Sequence, residues 1–171
     1  MADHGKLYPG FDMEFVKEMV TLCQKADIIV PNITEACFLL NRPYLETYTK
    51  ADIEALLNDL ANLGIPQVVL TGVKFKDNEL GVASFTKATG EINYYFREEV
   101  PYSFHGTGDI YASCFFGALM NDFNLQESMK IAVDFTVDAI LKTVEDRNEH
   151  WYGVHFESVI PNLIQAIAKN K

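Results

Sequence analysis

The sequence predicts an α/β fold, and three observations carry that expectation. Two short apolar runs, residues 27–30 and 67–71, are bounded by turn residues and separated by helix-patterned chain, as parallel strands joined by a crossover must be. Each run exits into polar residues, Pro31-Asn32 and Thr71-Gly72, at the strand ends where open α/β sheets place ligands. A glycine-rich turn, His105-Gly106-Thr107-Gly108-Asp109, then opens a long apolar helix.

Taken in order, residues 1–11 read as a loop punctuated by Asp3, Gly5, Pro9 and Gly10. Asp12 caps a first helix that runs to about Ala26, with Phe15, Val16, Met19, Val20 and Cys23 at helical spacing. Residues 27–30 form a buried strand ended by Pro31, and a second helix over 33–40 stops before Asn41, Arg42 and Pro43. Thr49 caps a third helix in which Ile53, Leu56, Leu57, Leu60 and Leu63 share a face, and Gly64 terminates it. Residues 67–71 follow as a strand parallel to the first, and 80–86 with 91–96 read as an antiparallel hairpin. The remainder is helical, over 107–120, 125–144 and 158–168, with Pro161 in the first turn of the last.

Five or six helices thus accompany two parallel strands and one hairpin, too few strands to bury that many apolar faces. The expectation is a single portion, residues 1–171, of a larger sheet: the C-terminal part of a longer protein that begins in the loop after a strand it lacks. A small α+β domain is the competing reading. No repeat, low-complexity tract or linker divides the chain.

Bulk composition narrows the function classes. At 171 residues, 49% hydrophobic and 22% charged, the chain can bury a core. Fourteen basic against 24 acidic residues give a net charge of −10, which argues against a nucleic-acid surface but not against a polyphosphate held by backbone amides and a divalent ion. Cys23, Cys37 and Cys114 are odd in number, sit in apolar contexts and lack C-x-x-C spacing, so neither disulfides nor zinc is expected and a cytoplasmic setting is. Neither a membrane-spanning run nor the apolar core of a signal peptide is present.

Chemistry concentrates at three places. Around Thr107 the glycines let successive N–H groups converge, the following helix adds its positive end, and Asp109 in the first turn is placed to take a proton from an attacking group. The plain alternative is Thr107 as an N-cap with Asp109 complementing the dipole. Asn32 and Glu35, three apart at a strand exit, offer an amide and a carboxylate suited to an outer role at magnesium, or else an ordinary capping box. Thr71 and Gly72 offer a phosphate approach, or a commonplace strand exit. Lys74, Lys76, Arg97, Glu98 and Glu99 read as solvated, His4 and His105 as non-ligands, and the Phe115-Phe116 and Tyr94-Tyr95-Phe96 clusters as core or subunit contact. No G-x-x-x-x-G-K-[ST] loop, G-x-G-x-x-G fingerprint or G-x-S-x-G elbow occurs.

Taken together and in this order, Asn32-x-x-Glu35, Val69-Leu70-Thr71-Gly72 and Gly106-Thr107-Gly108-Asp109 resemble the C-terminal half of the ribokinase superfamily, and most of all the pyridoxal (pyridoxine, pyridoxamine) kinases. The stretch from Met1 to Tyr8 is similar to the loop that follows the family's Asp-Pro-Val-Met strand. The resemblance covers essentially the whole chain. It implies a ribokinase-like three-layer αβα fold with helices on both faces of the sheet, lacking its N-terminal half. It implies transfer of the γ-phosphoryl of ATP to the primary hydroxyl of a vitamin B6 vitamer, in a cytoplasmic homodimer without nucleic-acid or membrane partners. Asp109 then resembles the catalytic base, and the amides of Gly106, Thr107 and Gly108 the anion hole. Asp3 and Glu35 resemble the magnesium and phosphate-side acids, with Asn32 beside them. Thr71 and Gly72 resemble the ATP phosphate contacts, and the segment 100–104 a cover for adenine. The family's N-terminal half, which supplies most contacts to the pyridine ring, is absent here. Hydroxymethylpyrimidine kinases have a similar turn with cysteine where this chain has Asp109, and sugar and nucleoside kinases often have alanine in place of Thr107. A hydroxymethylpyrimidine or sugar kinase, or a non-catalytic nucleotide-binding fragment, are the alternatives.

Overall fold

A computed structural model of the chain describes residues 1–145 and 153–168. These fall into two compact units, Met1–Tyr94 and Tyr95–Lys171. The architecture is the expected mixed α/β one.

In the first unit the N-terminal segment is not the loop its punctuation suggested. Strands β1 (Ala2–Asp3) and β2 (Lys6–Leu7) pair antiparallel, Ala2 with Leu7 and Asp3 with Lys6. His4 and Gly5 between them both take positive φ, 47° and 74°, the backbone of a two-residue hairpin turn. Gly5 is required twice over there, because a Cβ would also fall 2.9 Å from the Tyr44 ring. With two residues per strand, no alternation exists for a sequence reading to detect.

Helix α1 (Met13–Cys23) starts where Asp12 accepts the Phe15 N–H at 2.9 Å. Strand β3 (Ile28–Ile29) pairs parallel with β4 (Gln67–Val73), Ile28 opposite Gln67 and Ile29 opposite Val68. Between them lie α2 (Ile33–Leu39) and α3 (Lys50–Asn62), the latter opened by a reciprocal Thr49–Asp52 capping box. Gly64, at φ 107°, ends the chain's helical course after α3, as Gly does past a C-cap. Ile53, Leu57 and Leu60 of α3 and Val68, Val69 and Leu70 of β4 are wholly buried, and each contributes roughly 2 kcal/mol of apolar burial. Consecutive burial in β4, rather than alternation, fits a central strand covered on both faces.

Strand β5 (Glu79–Thr86) runs antiparallel to β4 and completes, with β6 (Glu91–Glu98), a sheet ordered β3-β4-β5-β6. The division between the two units falls inside β6.

In the second unit, α4 (Thr107–Leu119) packs against α5 (Leu125–Glu145). Tyr111, Cys114, Phe115 and Ala118 form the buried face of α4, while Met129, Ala132 and Ala139 of α5 are sealed from solvent. A 3-10 turn, Glu157–Val159, leads into α6 (Ile160–Ala168), where Pro161 occupies the first turn as expected. Among the described residues no helix is long and apolar enough to cross a membrane, and Cys23, Cys37 and Cys114 are free thiols.

Arg97, read as solvated, is instead one-third exposed and ion-paired. It donates to Asp134 of α5 at 2.6 Å and lies 3.8 Å from Asp138. Tyr95 and Lys130 also donate to Asp134, at 2.8 and 2.6 Å, fastening residues 95–97 of β6 to α5.

Candidate functional site

The glycine-rich turn in the second unit is the more exposed part of the candidate machinery. Gly106 is the N-cap of α4, left-handed at φ 85° and ψ −2°, and no side chain caps the helix. Thr107 is therefore not the cap. It is the first helical residue, and its hydroxyl reaches back to the Phe104 carbonyl at 3.3 Å, pinning the turn. The first intrahelical bond runs from the Ile110 N–H to the Gly106 carbonyl at 3.0 Å. That leaves the N–H groups of Thr107, Gly108 and Asp109 without acceptors among the described residues, at the positive end of a 13-residue helix.

A cavity of about 450 Å³ opens beside them. His105, Gly106, Asp109 and Ile110 form one side and residues 153–157 the other. The Asp109 side chain is exposed and free of ion pairs among the described residues, so it can accept a proton there. Cys114, one turn further along α4, is no rival nucleophile, since burial pushes its thiol up to about 11.

The residues of the first unit gather at the strand exits. Asn32 caps α2 by accepting the Glu35 N–H at 2.8 Å, and Glu35 returns the bond through Oε2 to the Asn32 N–H at 3.0 Å. The capping box named as the plain alternative is thus present. The Asn32 amide also donates to the Ala2 carbonyl at 2.8 Å, and the Met1 ammonium donates to Glu35 Oε1 at 2.9 Å. Thr71 bridges in parallel to Asn32, and both its N–H and its hydroxyl point to the Pro31 carbonyl, at 2.9 and 3.4 Å. Gly72 follows at φ 78° with open space around it, inside the irregularity that shifts the β4–β5 register between Thr71 and Val73.

Asn32, Glu35, Thr71 and the β1 backbone therefore form one hydrogen-bonded group. Asp3 stands at its margin, its Oδ1 accepting from the His4 N–H at 2.9 Å and its side chain 45% exposed. Among the described residues no cluster of three or more His, Cys, Asp or Glu side chains is arranged for a metal. That donor set fits magnesium carried in on phosphates, which needs one or two carboxylates and keeps its waters, and not a preformed cage. Asp3 can supply an oxygen directly. Glu35 lies behind it, with Oε2 accepting from the Asn32 N–H at 3.0 Å.

Residues 153–157 carry no motif and were not legible as part of a site. Their place in the cavity lining reveals them, together with Gly153, where an added Cβ would lie 3.7 Å from the His105 carbonyl.

The sequence profile described as phosphomethylpyrimidine kinase matches residues 6–153. Among solved structures, a candidate phosphomethylpyrimidine kinase from Bacteroides thetaiotaomicron is 32% identical, with a TM-score of 0.89 over 94% of this chain and 56% of its own. Pyridoxal kinase from Lactobacillus plantarum is 31% identical, with a TM-score of 0.85 over 99% of this chain and 59% of its own. Pyridoxal kinase from Leishmania donovani, solved with ADP and pyridoxine, shares the fold at 22% identity, with a TM-score of 0.81 over 95% of this chain and 55% of its own. The chain spans a little over half the length of these relatives. Among curated proteins nothing matches.

Proposed function

Because the chain belongs to the phosphomethylpyrimidine kinase family, with the ribokinase-like fold of the pyridoxal kinases, we propose that it is the ATP-handling portion of a kinase that phosphorylates the primary hydroxyl of a vitamin B6 vitamer. The observation that supports this most is the run of three acceptor-free N–H groups at the head of α4 with a free carboxylate beside them. Phosphoryl transfer asks for positioning and charge neutralisation more than for covalent chemistry by the protein.

In the proposed reaction the acceptor oxygen bonds to the γ-phosphorus as the bond to the ADP oxygen breaks, and the hydroxyl proton passes to an Asp109 carboxylate oxygen. The Gly106, Thr107 and Gly108 amides hold the transferred group's charge. Thr71 and Gly72 are assigned to the ATP phosphates and segment 100–104 to adenine. Asn32 acts by holding Glu35 and the Ala2 backbone in place. Magnesium, when bound, neutralises the phosphate oxygens, and Asp3 is assigned to it directly and Glu35 through water. The reading extends to a cytoplasmic homodimer.

Pyridoxal as acceptor is supported by the relatives, including a form of the Bacteroides protein solved with pyridoxal at 32% identity. The family profile itself favours a second reading, a hydroxymethylpyrimidine acceptor. Against that stands Asp109 at the position where the resemblance puts cysteine in such kinases. Calorimetry of this chain with magnesium ATP, then with pyridoxal and hydroxymethylpyrimidine separately, tests nucleotide binding and ranks the acceptors. ATP heat without acceptor heat supports a nucleotide-binding portion that is not catalytic alone. In the full-length protein, Asp109→Asn is expected to abolish turnover and leave ATP affinity within about twofold, and undiminished turnover refutes the base assignment.

A further inference from the structure

The cavity beside Asp109 depends on a wall, residues 153–157, that belongs to no helix until Glu157 enters the 3-10 turn. A buried hydroxyl of α5 is bonded to that wall. Thr143, fully buried in the last turns of α5, donates to the Ala139 carbonyl at 2.7 Å and accepts the His155 N–H at 2.8 Å. A Thr bonding back to the i−4 carbonyl is ordinary in a helix. What is not ordinary is the second bond, which spends the oxygen's acceptor capacity on a backbone N–H twelve residues away. The same wall meets the glycine-rich turn at Gly153, beside the His105 carbonyl.

We infer that Thr143 is a positioning residue for the nucleotide site, holding residues 153–157 as the fixed second wall of the cavity into which the α4 amides point. The inference rests on the ATP reading above and deepens it. A wall ordered before the ligand arrives spares the ligand the cost of ordering it, so the hydroxyl acts on affinity without touching the nucleotide. Glu157 and Asp109 both border the cavity, so a polyphosphate seated on the amides would have a carboxylate on either side. Loosening the wall frees one of those charges to approach the phosphates.

The test is ATP titration calorimetry on the whole chain with magnesium, for the wild type, Thr143→Val and Thr143→Ser. Valine keeps the shape and removes the acceptor, and is expected to raise the Kd about fivefold, the weight of one neutral hydrogen bond. Serine restores the hydroxyl and is expected to bring the Kd back within about twofold of wild type by the same reasoning. A merely structural role would lower the binding stoichiometry through loss of folded protein and leave the Kd unmoved. Amide hydrogen exchange on the wild type gives a reading that survives even if the valine variant fails to fold: ATP should slow exchange of the His155 amide. Unchanged Kd in folded Thr143→Val, a serine variant as weak as valine, or His155 exchange indifferent to ATP overturns the inference while ATP binding stands. A wild-type chain that takes up no ATP overturns the nucleotide reading and the inference with it.

Discussion

Replacing Gly106 and Gly108 by alanine, one at a time, separates what the turn does for folding from what it does for phosphate. At Gly106 a Cβ meets nothing within 4 Å, so the cost is conformational alone. Holding alanine at φ 85° costs about 1–2 kcal/mol, and the stiffer unfolded chain returns about 0.4–1 kcal/mol. The net loss is about 1 kcal/mol. Gly108 lies inside the first turn of α4 without a positive φ, and a Cβ there is equally unobstructed. Alanine at that position gains about 0.5 kcal/mol, a first-turn fraction of the interior helix-propensity difference. The two substitutions should therefore move urea-unfolding stability in opposite directions, about 1.5 kcal/mol apart. For ATP they should agree: each puts a methyl beside the acceptor-free amides, and each is expected to raise the calorimetric Kd about tenfold, or 1.4 kcal/mol. Wild-type stability for Gly106→Ala would falsify the left-handed cap. Wild-type ATP affinity in both variants would remove the amides as a phosphate seat.

Asp134 should make the second unit sensitive to acid. Partial burial pushes its carboxyl up, but hydrogen bonds from Lys130, Arg97 and Tyr95 outweigh that and hold the pKa below the usual aspartate value. A depressed carboxyl stabilises the fold above its unfolded pKa of about 3.9 and loses that contribution as pH falls through the folded value. Asp134→Asn is expected to cost about 1–2 kcal/mol at pH 7, after discount for partial exposure. A stability gap between variant and wild type that does not shrink between pH 5 and pH 2 would count against this. The hydroxyls of Tyr111 and Ser84 are buried without partners among the described residues. Tyr111→Phe and Ser84→Ala should therefore each raise stability by about 1 kcal/mol, since a desolvated donor is removed. A lowered Tm in both variants contradicts that account.

Much of the fold was legible because local signals and burial agree. Thr49 and Asp52, three apart before an apolar run, are a capping box in sequence and in space, and Gly64 stops the helix in both. The parallel pairing of β3 and β4 followed from the crossover length. The β1–β2 hairpin was not legible, because its two-residue strands carry no periodicity and its turn is fixed by a Tyr44 ring nearly forty residues away. Arg97 looked solvated because its partners, Asp134 and Asp138, lie on a helix that no local pattern connects to β6. At the candidate site the anion turn was readable as a motif, and the alternative with Thr107 as cap falls to the left-handed state of Gly106, a backbone property that no side-chain pattern reports. The wall at 153–157 is a matter of tertiary contact, which no spacing rule could reach.

The Pro31 carbonyl receives both the amide and the hydroxyl of Thr71, and the next residue, Asn32, grips Glu35 and Ala2. One oxygen thus works as a rivet between the exits of two strands, carried by a residue whose ring locks φ. A push on Thr71 cannot be absorbed there as a local wobble. It travels to the head of α2 and the N-terminal hairpin, so this rim of the first unit should tilt or hold still as a single plate.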